Sequence, residues 1–79
     1  MNYYTLQIEY GSNQKPEKYM LKDLNPGSMD EMQWIRQTRQ LLFTTGFHIE
    51  SAPGTYHFIS PFVIVNAYLL RQDSKYQLD

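Results

Sequence analysis

The sequence predicts a single small α+β domain, in which one helix packs on a mostly antiparallel sheet and the elements follow the order ββαβββ. Helical periodicity occurs in one stretch, residues 28–47. Apolar and polar residues alternate on both sides of that stretch, which is typical of half-buried strands. The 79 residues suffice for one domain with a modest core, so we assign residues 1–79 to a single domain.

Two strands are expected before the helix. Residues 3–10 alternate regularly and are rich in tyrosine and other strand-forming residues. Residues 11–16 form a turn, and residues 17–24 form a second, less regular strand. Lys18 and Lys22 on this second strand are typical of an exposed sheet edge.

The helix is expected at residues 29–45. Ser28 and Glu31 have the spacing of a capping box, in which each side chain bonds a backbone N–H of the first turn. Gly46 suits the left-handed conformation that often ends a helix. At about 100° per residue, the face expected to contact the core contains Trp34, Ile35, Thr38, Leu41, Leu42 and Thr45.

A stripe of mixed character lies beside this core face and consists of Met32, Arg36, Arg39 and Phe43. In one interpretation, Phe43 lies under the edge of the fold and the arginine stems cover apolar surface. In a second, the stripe contacts a protein partner, because Met, Arg and aromatic residues are enriched at interfaces. Phosphate binding by the two arginines is a third.

A hairpin is expected after the helix, because residues 47–51 and 56–60 alternate around a turn at residues 52–55. Pro53 and Gly54 fit a type II turn, which matches strand twist poorly, so a bulge or a looser loop is expected. The side chains expected to face the core are Phe47, Ile49, Tyr56 and Phe58.

The last strand is expected at residues 62–72, with residues 73–79 as a frayed tail. Both faces of this strand are apolar, whereas one helix covers one face of a sheet. The simplest cover for the second face is another copy of the chain, with Val63, Val65 and Leu69 as the expected self-association residues. The alternative is a sheet that curls into a partial barrel and covers itself.

The residues give little support to catalysis. His48, Glu50 and His57 share the outer face of the hairpin if its turn has two residues, which would suit a metal ion or acid–base chemistry. They are equally the ordinary polar positions of two alternating strands. The sequence contains no nucleophile elbow and no phosphate loop. We therefore predict no enzymatic activity, catalytic residue, cofactor or metal.

Nucleic-acid binding is an alternative in which Arg36, Arg39 and Arg71 contact phosphates. The stacking residues would be the tyrosines that the pattern does not bury, Tyr3, Tyr68 and Tyr76. The net charge of −1 and the absence of a basic stripe argue against this function.

The sequence thus favours a non-catalytic protein-interaction module, a small subunit, regulator or inhibitor of bacterial or phage origin. We expect it to form a homodimer and to bind a protein partner. A nucleic-acid-binding domain is the first alternative, and a small enzyme or metal site at His48 and His57 is the second. The chain contains no cysteine, signal-peptide pattern or long apolar run, so a cytoplasmic protein without membrane contact is expected.

Overall fold

Six strands and one α-helix make up the fold in a computed structural model, which describes residues 3–79. The strands are β1 (Tyr4–Gly11), β2 (Pro16–Leu24), β3 (Phe47–Ala52), β4 (Thr55–Ile59), β5 (Ile64–Arg71) and β6 (Ser74–Gln77). The helix α1 is Glu31–Thr44, and a 3-10 turn, Pro61–Val63, precedes β5. The predicted α+β class, with one helix and a mostly antiparallel sheet, is confirmed.

The main sheet has four antiparallel strands in the order β2-β1-β5-β6. Leu6 of β1 lies between Leu21 of β2 and Leu69 of β5. Their side chains share the face that packs against α1. β2 and β6 are the two edges of this sheet and do not pair with each other within residues 3–79, so the alternative of a partial barrel is not formed.

The C-terminal residues form a sixth strand, which corrects the expected frayed tail. β6 pairs with β5, and the Leu78 N–H donates to the Ala67 carbonyl at 2.8 Å. The Leu78 side chain is 1% exposed and belongs to the core. Tyr76 and Leu78 alternate with polar residues, a two-residue period that the overall polarity of the tail conceals.

The strand expected at residues 62–72 begins two residues later. Pro61 occupies the first turn of the 3-10 segment, and the Ser60 hydroxyl accepts a hydrogen bond from the Phe62 N–H at 3.2 Å. This local cap keeps Phe62 and Val63 out of the ladder.

The helix begins at Glu31 with Asp30 as its N-cap, which replaces the expected capping box of Ser28 and Glu31. The Asp30 carboxylate accepts from the Gln33 N–H at 3.2 Å. Glu31 instead bonds residues of the main sheet. At the other end, the N–H groups of Thr45 and Gly46 both donate to the Leu41 carbonyl.

The buried face of α1 is rotated from the predicted one. Ile35 and Leu42 are buried and Phe43 packs against the core, whereas Leu41 is 58% exposed. Leu41 and Phe43 flank Leu42 on opposite sides, so periodicity alone does not decide which flank turns toward the sheet. Thr45, also expected on the core face, is exposed.

β3 and β4 form a separate two-stranded sheet beside the main sheet. The register shifts by one residue between Glu50 and Ala52, which is the expected irregularity near the turn. The Phe47 ring lies 6.1 Å from the Tyr19 ring, centroid to centroid. Phe47 is also packed against the core cluster, so the hairpin is attached to the main sheet near β2.

Candidate functional site

The register shift in the hairpin determines which of its side chains reach solvent. Phe47 pairs with Ile59 and Ile49 with His57, so these four side chains share one face. A one-residue slip moves every side chain of a strand to the other face. Tyr56 and Phe58, expected in the core, therefore lie on the outer face, where His48 is opposite Phe58.

The same shift separates the expected metal or acid–base set. His48 and Glu50 lie on the outer face, whereas His57 lies on the face of Ile49, with its ring 6.3 Å from that of Tyr10. Across residues 3–79, no group of three His, Cys, Asp or Glu side chains is placed to hold a metal ion.

The stripe of Met32, Arg36, Arg39 and Phe43 is not one continuous contact surface. Met32 and Arg36 are exposed. The Arg39 Nε donates to the Leu78 carbonyl at 2.7 Å and so joins the helix to the C-terminal segment. Phe43 packs against the core, as the interpretation with Phe43 under the edge of the fold expects.

The expected self-association residues, Val63, Val65 and Leu69, differ in burial and do not form one surface. Leu69 is 0% exposed and lies in the core under α1, so its assignment to a contact surface is wrong. The apolar run that includes Leu69 faces the protein's own helix, because residues 67 and 69 share the inner register of β5. Val65 is half-buried and Val63 is exposed.

The second face of the main sheet is more polar than the last strand predicts. The Asn66 side chain donates to Glu9 at 2.9 Å, and Gln7 donates to the same carboxylate at 3.3 Å. The Lys75 ammonium lies 4.1 Å from the centroid of the Tyr68 ring. These polar contacts lie on the face that a second copy was expected to cover.

The residues of the nucleic-acid alternative largely serve the fold. Arg71 forms an ion pair with Glu31 at 3.0 Å, and Arg39 bonds Leu78. Of the tyrosines, Tyr76 donates to Glu31, Tyr68 lies beneath Lys75, and Tyr3 is exposed. Arg36 is exposed on the helix. These groups therefore do not form one basic, aromatic surface.

A polar cluster around Glu31 joins the start of α1 to the main sheet. The Glu31 carboxylate accepts from Arg71 and from the Tyr76 hydroxyl. Burial, and then the nearby Glu31 carboxylate, raises the pKa of Tyr4 to about 12. A phenol held neutral in this way does not act as a general base near neutral pH. The hydrogen bonds of the cluster join α1 to β5 and β6.

A shallow groove of about 530 Å³ runs along α1 and is lined by Trp34, Gln37, Thr38, Gln40, Leu41, Thr44 and Thr45. Its lining contains amides, hydroxyls and two apolar side chains, and none of these residues is acidic or basic. The groove therefore offers no pair of titratable groups for acid–base catalysis.

Half of the large apolar side chains that are exposed within residues 3–79 lie in β4 and the 3-10 turn that follows it. We define the β4 apolar surface as Tyr56, Phe58, Phe62 and Val63. Tyr56 is 65%, Phe58 48% and Phe62 96% exposed. Phe58 is held in place because its ring covers Gly46, at the end of α1, and Phe62 is held by the Ser60 cap.

The β4 apolar surface lies in a run without charge. Residues 51–70 contain no Asp, Glu, Lys or Arg, although these residue types make up 19% of the chain. This run is the sequence signal that could have located the surface, but alternation alone assigned Tyr56 and Phe58 to the core.

No protein-family model, curated protein or solved structure matches the chain. A fold alone does not define an activity, so the exposed side chains of this chain carry the functional information. Across residues 3–79, no helix combines the length and the apolar character needed to cross a bilayer.

Proposed function

We propose that this chain is a non-catalytic protein-interaction module, a small subunit, regulator or inhibitor, that binds proteins through the β4 apolar surface. The observation that carries the proposal is the exposure of four large apolar side chains within eight residues, 56–63. Exposed apolar side chains that lie this close together in the chain are typical of interaction sites on soluble proteins.

The energetics favour burial of these side chains in a complex. An aromatic side chain buries roughly 150–250 Å². At the observed exposures of Tyr56, Phe58 and Phe62, the three rings still present on the order of 400 Å² to water. At about 25 cal/mol per Å² this area represents roughly 10 kcal/mol before the costs of association. Tyr is also among the residues that most often dominate binding energy.

The absence of charge favours a protein over a nucleic acid as the partner. Phosphate recognition depends on Lys and Arg, and residues 51–70 contain neither. We also place the module in the cytoplasm, because a chain without cysteine needs no oxidising compartment.

The test is affinity capture from host cells with three baits, followed by titration calorimetry with the captured protein after its purification. The variant Phe62→Ser removes the most exposed ring, and Leu41→Ser removes an exposed apolar side chain from the helix groove instead. We expect Phe62→Ser to weaken binding at least about tenfold, as expected for a central aromatic, and Leu41→Ser to bind like the native chain. Equal binding by all three proteins would contradict the proposal.

A further inference from the structure

β4 is a strand edge without the usual protection. It pairs with β3 on one side, and in residues 3–79 it belongs to no other ladder. Four of its five residues are exposed, and none is charged. Natural proteins usually protect such edges with charge, proline, a bulge or very short length, because open edges pair with other chains.

The other edges carry those devices. β2 begins at Pro16 and contains Lys18 and Lys22. β6 has four residues and contains Lys75. β3 contains Glu50 and the bulge that follows it. β4 therefore differs from every other edge of the described sheets.

The open edges of two copies of β4 can pair with each other. A two-fold axis perpendicular to the sheet makes the two strands antiparallel and keeps Tyr56 and Phe58 of both copies on one face. In such a contact each residue meets the same patch of the other copy, so a charged patch would repel itself. The charge-free run 51–70 avoids this repulsion and is in this sense complementary to itself.

The exposed apolar area is of the order that a weak, reversible dimer needs. A stable interface buries about 800 Å² per partner, and the three exposed rings supply on the order of half of that. Val63, His57 and the backbone edge of β4 add to this area.

From this edge and this area we propose that the β4 apolar surface binds a second copy of the chain by antiparallel pairing of β4 with β4. The product is a four-stranded sheet in the order β3-β4-β4-β3. Pairing centred on the middle of β4 places His57 opposite His57 of the second copy. The inference rests on the proposed function. It assigns the interaction surface of that function, the β4 apolar surface, to self-association.

The first experiment measures the mass of the chain by sedimentation from about 10 µM to about 1 mM, the range in which a weak dimer dissociates. We expect the native chain to approach twice its monomer mass of 9.4 kDa. Tyr56→Lys places like charges in the interface and should weaken the dimer at least about tenfold, whereas Leu41→Ser should dimerise normally. Circular dichroism confirms that each variant is folded.

The second experiment uses the absence of cysteine from the chain, because a single introduced cysteine can then form disulfides only between copies. His57→Cys should form a disulfide-linked dimer under mild oxidation, since directly opposed residues in antiparallel strands have a suitable Cα separation. Gln14→Cys, in the exposed turn between β1 and β2, is the control and should remain largely monomeric.

A native chain that stays monomeric at about 1 mM overturns the dimer, and so does a dimer unaffected by Tyr56→Lys or equal crosslinking of both cysteine variants. A monomer that still captures a protein in a Phe62-dependent manner would overturn this inference while leaving the proposed function intact. If both the dimer and Phe62-dependent capture are absent, the proposed function fails as well.

Discussion

Phe58 covers Gly46 so closely that a Cβ added to the glycine would lie 2.8 Å from the ring and 2.6 Å from the Ile59 carbonyl oxygen. Gly46 also has a φ of 89°, a conformation that residues with side chains rarely adopt. The end of α1 and the hairpin therefore meet at a position that only glycine can occupy without displacement.

The first prediction follows from this contact. Gly46→Ala should lower the free energy of unfolding by about 3 kcal/mol, because backbone strain adds to a clash with main chain. Gly54→Ala is the control, since Gly54 has a φ of 79° but open space around it, and it should cost only about 1 kcal/mol. Denaturant unfolding measures both, and equal losses would contradict the contact.

The second prediction concerns the C-terminal segment. Leu78→Ala should destabilise the fold by about 2–4 kcal/mol, because it leaves a cavity at a core position. Gln77→Ala, at an exposed position of β6, should change stability by less than about 0.5 kcal/mol. If thermal unfolding showed no difference between the two variants, residues 74–78 would be a frayed tail after all.

The third prediction separates two arginines of the same helix. Arg39→Ala removes the hydrogen bond to the Leu78 carbonyl and should cost about 1–2 kcal/mol, the usual contribution of a charged donor. Arg36→Ala, three residues earlier and exposed, should be close to neutral. Chemical denaturation of both variants gives the comparison, and the reverse order would show that the Arg39 contact does not stabilise the fold.

The fourth prediction concerns high pH. The pKa of Tyr4 is raised from 10.0 to about 12, so the folded state holds its proton more tightly than the unfolded state does. The resulting stability is present below pH 10 and is lost as the pH rises toward 12, by about 2 kcal/mol for this group.

Tyr4→Phe should reduce this alkaline loss, measured as the midpoint of urea unfolding between about pH 9 and pH 11.5. Part of the loss should persist in the variant, because burial and then Glu17 also raise the pKa of Tyr10. An unchanged pH dependence in Tyr4→Phe would contradict the assignment.

The residue pattern predicted the strands and the helix well wherever a regular two-residue or helical period runs through the whole element. The alternation of Tyr4, Leu6 and Ile8 correctly marked a strand with one buried face. The helix and the turn residues around it were also evident, although Asp30, two residues after Ser28, caps the helix.

The alternation of apolar and polar residues gave the wrong prediction where a one-residue shift in strand register decides which side chains are buried. The bulge after Glu50 exchanged the two faces of β4 and exposed Tyr56 and Phe58. Backbone pairing sets that shift, and composition does not reveal it. The candidate site was missed for the same reason, although the charge-free run 51–70 was visible in the sequence.

Amide hydrogen exchange of the native chain at dilute and at near-millimolar concentration tests self-association through β4 most directly. If two copies pair through β4, protection should rise with concentration in residues 55–63, and the exposed helix positions around Leu41 should not change. Protection that is independent of concentration in β4 and the 3-10 turn, or that appears on the helix instead, would contradict this pairing.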